Sequence, residues 1–237
     1  MGHPTYNLPT ALVSNTLDYG KFNILETTEY IKGVFPRMAR ARLLVRCHSH
    51  RLHGVGDSGA HHSSLLREQA ENGTVVYVDP IMGDEGKLYN GVTDEAIKSM
   101  REMVSVAHLV FPNYTEACYL TDSQYEAAGI TAEGARRLLD SLLKLGTKSA
   151  LITSIRVDGQ PSVVGYNHVN GEYFTQPYTE IPVHFPGTGD IFSAVLIGYL
   201  LGGKELKPST RKAMDVVYKL IDLNKDNTDK NRGIPLE

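Results

Sequence analysis

The sequence predicts an α/β fold in three layers, with helices on both faces of a central, mostly parallel sheet. Three observations carry this. From Thr74 onward, short β-branched runs alternate with helical stripes, the pattern of strands covered on both faces. Polar residues suited to chemistry (Asp79, Asn113, Glu116, Thr153 and Ser154) follow the predicted strands, where ligands collect in parallel sheets. A glycine-rich turn, His184-Phe185-Pro186-Gly187-Thr188-Gly189-Asp190, runs straight into the apolar segment 194–201.

The first 32 residues contain the run Ala11-Leu12-Val13, read as a strand entering a polar loop, and then Ile24, Thr27, Thr28 and Ile31 at helical spacing. Between Gly33 and Leu66 five arginines and five histidines are scattered without a sustained period, and no element is predicted. Val75-Val76-Tyr77-Val78 reads as a buried strand ending at Asp79-Pro80, followed by a glycine-containing loop through Asp84, Gly86 and Tyr89. Thr93 is placed to cap a helix whose Ile97, Met100 and Val104 share a face. A second strand over residues 108–111 leads to Pro112-Asn113, and Ala135, Leu138, Leu139, Leu142 and Leu143 mark an amphipathic helix stopped by Gly146. A third strand, 150–152, is expected to end at Thr153-Ser154, and Asn170-Gly171 between two β-rich runs signals a hairpin. Ala213, Val216, Val217, Leu220 and Ile221 mark a final helix.

With 237 residues, 41% hydrophobic and 22% charged, the chain can bury a full core, and a single domain over residues 1–237 is expected. A net charge of −3 gives no general attraction to nucleic acid or anionic lipid, which favours a small-molecule partner. The longest apolar run is too short to span a bilayer, and residues near Met1 lack a signal peptide's pattern. Two cysteines, Cys47 and Cys118, make neither a disulfide framework nor a zinc quartet, which fits a reducing cytoplasm.

The turn at Gly187, Thr188, Gly189 and Asp190 leaves two readings open. It is an ordinary cap on a core helix, or its amides form an anion cradle at a helix N-terminus. In the second case Asp190 would repel the anion if it served only as a wall, and makes more sense as a base taking a proton from a hydroxyl that attacks phosphorus.

Taken together, Val78-Asp79-Pro80-Ile81-Met82-Gly83-Asp84, Asn113-Tyr114-Thr115-Glu116, Thr153-Ser154 and Gly187-Thr188-Gly189-Asp190 resemble the pyridoxal kinases of the ribokinase-like superfamily. The match runs from Thr74 to the C-terminus, with a shorter piece over residues 8–34. The resemblance implies phosphorylation of the 5′-hydroxymethyl group of pyridoxal, pyridoxamine or pyridoxine by ATP with Mg2+, in a homodimer. It implies Asp190 as base, with Gly187, Thr188 and Gly189 cradling the migrating phosphoryl group. Asp79, Asp84, Asn113, Thr153, Ser154 and Tyr89 are implied around ATP, Glu116 and Asp84 around magnesium, and residues 83–89 as a lid. Thr16 is the candidate on the vitamer side.

Two departures stand out. The family opens with a βα unit, about thirty residues, ahead of the stretch matching residues 8–12, so that unit is expected to be missing. Residues 35–66 are atypical, and codons compatible with 38–59, read one nucleotide out of frame, can spell a segment similar to the family's. A nucleotide sequence without an insertion or deletion near Pro36 and Leu66 refutes this. These departures predict weak or absent turnover by the chain as written. Other readings are a kinase for hydroxymethylpyrimidine or a sugar, an inactive fragment that keeps the nucleotide rim, and an NAD-dependent oxidoreductase. The last rests on Gly54-Val55-Gly56-Asp57-Ser58-Gly59, which matches the dinucleotide fingerprint without a strand before it or a helical pattern after it.

Overall fold

The computed structural model describes residues 58–227 without a break, together with residues 2, 9, 11–14, 21, 23–27, 29, 30, 32–34 and 233–235. Near the start, β1 (Ala11–Val13) and β2 (Ile24–Glu26) pair antiparallel as a two-stranded ribbon. The helical spacing that begins at Ile24 is overturned there, because Ile24 pairs with Val13, and helical backbone starts only at residues 29 and 30. Pairing with an apolar run outweighs a periodicity carried by four residues.

A helix, α1 (Ser58–Glu71), begins inside the segment where no element was predicted, runs past its end and buries Leu66 and Gln69. Residues 54–57 of the fingerprint and the atypical residues before them from 35 lie outside the described residues, as does Thr16, while Ser58 and Gly59 open α1.

The chain then builds the main sheet. β3 (Tyr77–Val78) is followed by a small antiparallel hairpin, β4 (Gly83–Asp84) and β5 (Lys87–Leu88), and by α2 (Asp94–Ser105). Thr93 caps α2 as predicted, its hydroxyl accepting from the Ala96 amide, and Ile97, Met100, Met103 and Val104 are buried. Next come β6 (Leu109–Val110), α3 (Tyr114–Thr121), α4 (Ala132–Lys144), β7 (Ser149–Val157), β8 (Gln160–Asn167) and β9 (Glu172–Pro177). Two helices, α5 (Thr188–Leu201) and α6 (Leu206–Asn224), complete the order.

The sheet runs β3-β6-β7-β8-β9, parallel through β3, β6 and β7 and antiparallel through the β7–β8–β9 meander. Its strands alternate between two cores, as strand geometry requires. Val110, Ala150, Ile152 and Val164 face one core with α1 to α4, while Leu109, Leu151, Val163 and Phe174 face the other with α5 and α6. The α/β class with both faces covered is borne out.

The third strand is longer than predicted. Thr153 and Ser154 do not end it; they form an irregularity between Ile152 and Ile155, after which β7 continues to Val157 against β8. The cause is the Asp158-Gly159 turn, whose positive φ values of 49° and 80° suit a tight hairpin and return the chain directly. The parallel half nonetheless stops near Thr153, which forms an isolated bridge with Asn113. Both residues therefore remain on the carboxyl rim of the parallel strands.

Candidate functional site

Three elements meet on that rim. The first is the turn into α5. Gly187 is its N-cap, with φ 87° and ψ 1°, a left-handed conformation that favours glycine, and it supplies no side-chain cap. Asp190, exposed in the first helical turn, approaches from the same side: a Cβ added to Gly187 would meet its Oδ2 at 3.9 Å. A helix N-terminus without a capping side chain, with a carboxylate at its mouth, suits an anion that receives a nucleophile.

The second element is the end of β3. Asp79 is 8% exposed and accepts a 2.5 Å hydrogen bond at Oδ2 from the Ser193 hydroxyl of α5. Burial pushes its carboxyl up to about 7; the Ser193 bond opposes the rise and the Asp190 charge adds to it. Asp79 and Asp190 thus lie within electrostatic reach.

The third element is the start of α3. Asn113 caps it by accepting from the Glu116 amide at 2.9 Å, and Glu116 Oε2 accepts from the Asn113 amide at 2.8 Å, a complete capping box. The other oxygen, Oε1, accepts from the Met82 amide at 3.0 Å, so Glu116, 3% exposed, staples α3 to the segment after β3. Burial raises its carboxyl to about 8, against the lowering effect of the Asn113 amide and with the Asp79 charge adding to the rise.

Residues 83–89, expected as a lid, form a hairpin bonded to α3 and its cap. Asn113 Nδ2 donates to the Gly83 carbonyl at 2.7 Å, and the Gly86 amide donates to Thr115 Oγ1 at 2.8 Å. A Cβ at Gly86, whose φ is 80°, would meet the Tyr125 ring at 2.7 Å. Asp84 sits on this hairpin, its Oδ1 accepting from the Glu85 amide, and Tyr89 closes it by donating its amide to the Met82 carbonyl at 2.8 Å.

The structure thus brings Asp79, Glu116 and Asp190 into one electrostatic cluster and sets Asn113 beside Thr153, whose amide donates to the Pro112 carbonyl at 2.9 Å. Ser154 is exposed on the rim with φ 54°, a strained value for a non-glycine residue. Glu116, expected beside magnesium, has one backbone amide on each oxygen. Among the described residues no three His, Cys, Asp or Glu side chains form a ready cation cage. Two residues that tie these elements together escaped sequence reasoning. Ser193 is an isolated hydroxyl one turn beyond Asp190 in an apolar helix, and Thr115 anchors the hairpin.

The two buried carboxyls set a pH dependence. Each binds its proton more tightly when folded, so the stability it contributes is complete below its ordinary value of 3.8 or 4.5 and is lost as pH rises through about 7 for Asp79 and about 8 for Glu116. His108, lowered by burial from 6.5, acts with the opposite sign only at lower pH. Without divalent cations the melting temperature should therefore fall progressively from about pH 4.5 to about pH 8 and level off above it, and Glu116→Gln should flatten that fall. A level wild-type profile across this window defeats the argument.

Residues 59–235 match the phosphomethylpyrimidine kinase family. The chain belongs to the phosphomethylpyrimidine kinase family. Members similar to it include the pyridoxal kinase of Dictyostelium discoideum, 27% identical over 168 residues that make up 65% of this chain and 53% of the relative. The pyridoxal kinase of Arabidopsis thaliana is 35% identical over 134 residues, 54% of this chain and 41% of the relative. The chain spans about half the length of the curated relatives it matches. Among solved structures, a Bacteroides thetaiotaomicron protein described as a phosphomethylpyrimidine kinase, in a crystal form with pyridoxal, is 30% identical with a TM-score of 0.83, over 96% of this chain and 80% of that one. A Lactobacillus plantarum pyridoxal kinase is 26% identical with a TM-score of 0.77, over 97% and 82%. The resemblance to the pyridoxal kinases and to their fold is borne out.

Proposed function

We propose that the chain is a phosphotransferase, a single kinase domain over residues 1–237 that passes the γ-phosphoryl group of ATP to the hydroxymethyl group of a B6 vitamer. The observation that carries this is the uncapped, left-handed Gly187 start of α5 with the Asp190 carboxylate at its mouth. Family membership and relatives named pyridoxal kinase support the same reaction class, and the neighbour crystallised with pyridoxal favours a vitamer over a hydroxymethylpyrimidine or a sugar.

In this reading Asp190 takes the proton of the attacking hydroxyl, and the amides of Gly187, Thr188 and Gly189 hold the phosphoryl oxygens, so that negative charge growing there meets fixed dipoles. Asn113, Thr153, Ser154, Asp79, Asp84 and Tyr89 line the nucleotide side, and Thr16 is the candidate on the vitamer side. Positioning and charge neutralisation supply most of the catalysis in phosphoryl transfer.

The donor set fits a magnesium ion carried by the nucleotide, because the Asp190 charge raises the Asp79 carboxyl, the Asp79 charge raises that of Glu116, and a cation relieves such repulsion. Asp84 and Asp79 would hold it, with Glu116 contributing charge from its amide-bound position. Magnesium neutralises phosphate charge in the transition state when bound. Such sites need only one or two carboxylates beside the phosphates. The reading also makes the chain a cytoplasmic homodimer, and light scattering after size exclusion tests the assembly.

The deciding experiment combines thermal shifts with product analysis. ATP with magnesium should raise the melting temperature while NAD does not, and pyridoxal, pyridoxine or pyridoxamine should yield phosphate ester faster than hydroxymethylpyrimidine. Stabilisation by NAD alone overturns the kinase reading. Nucleotide stabilisation without any ester leaves a nucleotide-binding chain that does not turn over.

A further inference from the structure

Ser193 lies inside α5, 2% exposed, between Phe192 and the apolar Leu196 and Ile197. A buried hydroxyl inside a helix ordinarily bonds back to its own helix four residues earlier. The buried Ser209 and Thr210 do so here, donating to the carbonyls of Glu205 and Leu206, as do the less buried Thr121 and Ser141 to Ala117 and Arg137. Ser193 instead donates to Asp79, 114 residues away in sequence, at 2.5 Å. That bond joins the helix carrying Asp190 to the end of β3, at a buried carboxylate that also feels the Asp190 charge.

We propose that Ser193 is a positioning residue: its hydroxyl fixes the orientation of the Asp79 carboxylate relative to Asp190, so that the two acidic groups meet the phosphate side of the nucleotide at a set separation. The geometry argues against simple filling of a core gap. A residue three positions after Asp190 lies on the same helical face one turn on, so its partner is held in register with the base. A hydroxyl bonded to a carboxylate is stronger than a neutral pair and restricts the carboxylate to one orientation. Without it, Asp79 would be free to turn about its side-chain bonds while α5 stayed packed on the sheet through Leu109, Phe111 and Leu196. The effect would then fall on alignment and not on the fold.

This inference rests on the proposed phosphotransferase reading, and its test separates the two. Ser193→Ala, Asp79→Asn and the double variant are compared in the full chain by steady-state kinetics with pyridoxal and by calorimetric titration with ADP, with and without magnesium. Ser193→Ala should lower kcat by about tenfold or more, the range found when a group orienting a ligand is lost, with KM for pyridoxal changed less than about twofold. It should also weaken ADP binding with magnesium more than without, and both effects should vanish in the Asp79→Asn background. Turnover within about twofold of the parent, or an equal loss in both backgrounds, overturns the assignment. If the parent chain turns over no vitamer, the proposed function fails by itself, and the ADP titration alone then decides for or against Ser193.

Discussion

Asp190→Asn is expected to lower kcat for vitamer phosphorylation by about 10²- to 10⁴-fold, the contribution of a well-placed general base. The amide has the shape of the carboxylate but cannot take the proton. Because Asp190 is exposed in the first turn of α5, the substitution leaves the core untouched, and the dipole interaction it gives up is worth only about 0.3–1 kcal/mol. Removing a negative charge beside the phosphate cradle does not weaken nucleotide binding, so KM for ATP should not rise. A second readout follows from the electrostatics. Asp79 loses a neighbour that pushes its carboxyl upward, so its protonation should move to lower pH. A variant that keeps turnover within tenfold of the parent would remove Asp190 from the role of base. It would return the turn at Gly187 to an ordinary helix start.

The parts of this site that were legible in the sequence are those whose cause is local. Asn113 and Thr93 cap helices because a short polar side chain precedes the first turn, and the chain itself states that. The turn into α5 was legible because only glycine adopts the φ of Gly187 without strain. The strands facing both cores were legible from their continuous apolar runs. What was hidden depended on partners distant in sequence. Thr153-Ser154 looked like the end of a strand until β8 returned against Ile155 and carried β7 onward. Ile24 belonged to a helical pattern until pairing with Val13 claimed it. Ser193 drew no reading from the sequence because its partner lies 114 residues away. Glu116 is the instructive middle case. Its spacing from Asn113 is that of a capping box, a local signal that the reading as a magnesium ligand passed over.

Glu116→Ala tests that distinction. A residue whose chief task is to bind magnesium leaves the stability of the cation-free chain unchanged when it is lost, or improves it by removing a buried carboxyl. The geometry here predicts the reverse. Truncation leaves the Met82 and Asn113 amides without their acceptors and opens space where a side chain was 3% exposed. It also releases the staple that holds the β4–β5 hairpin beside α3. A buried amide left unpaired costs about 1–3 kcal/mol, and two of them, partly relieved by water entering, set a loss of about 2–4 kcal/mol. Against the 5–15 kcal/mol roughly expected for a whole domain, that is a severe change. Glu116→Gln keeps one acceptor oxygen but turns an NH2 group toward an amide donor, so it should cost roughly half as much. Urea denaturation of the cation-free chain at pH 7 reads both values. The hairpin carries Asp84, so the Ala variant should also bind ADP with magnesium more weakly, even though Asp84 itself is intact. Unchanged denaturation midpoints together with a lost magnesium requirement would establish the opposite assignment, with Glu116 held in reserve for the metal and the capping box incidental to it.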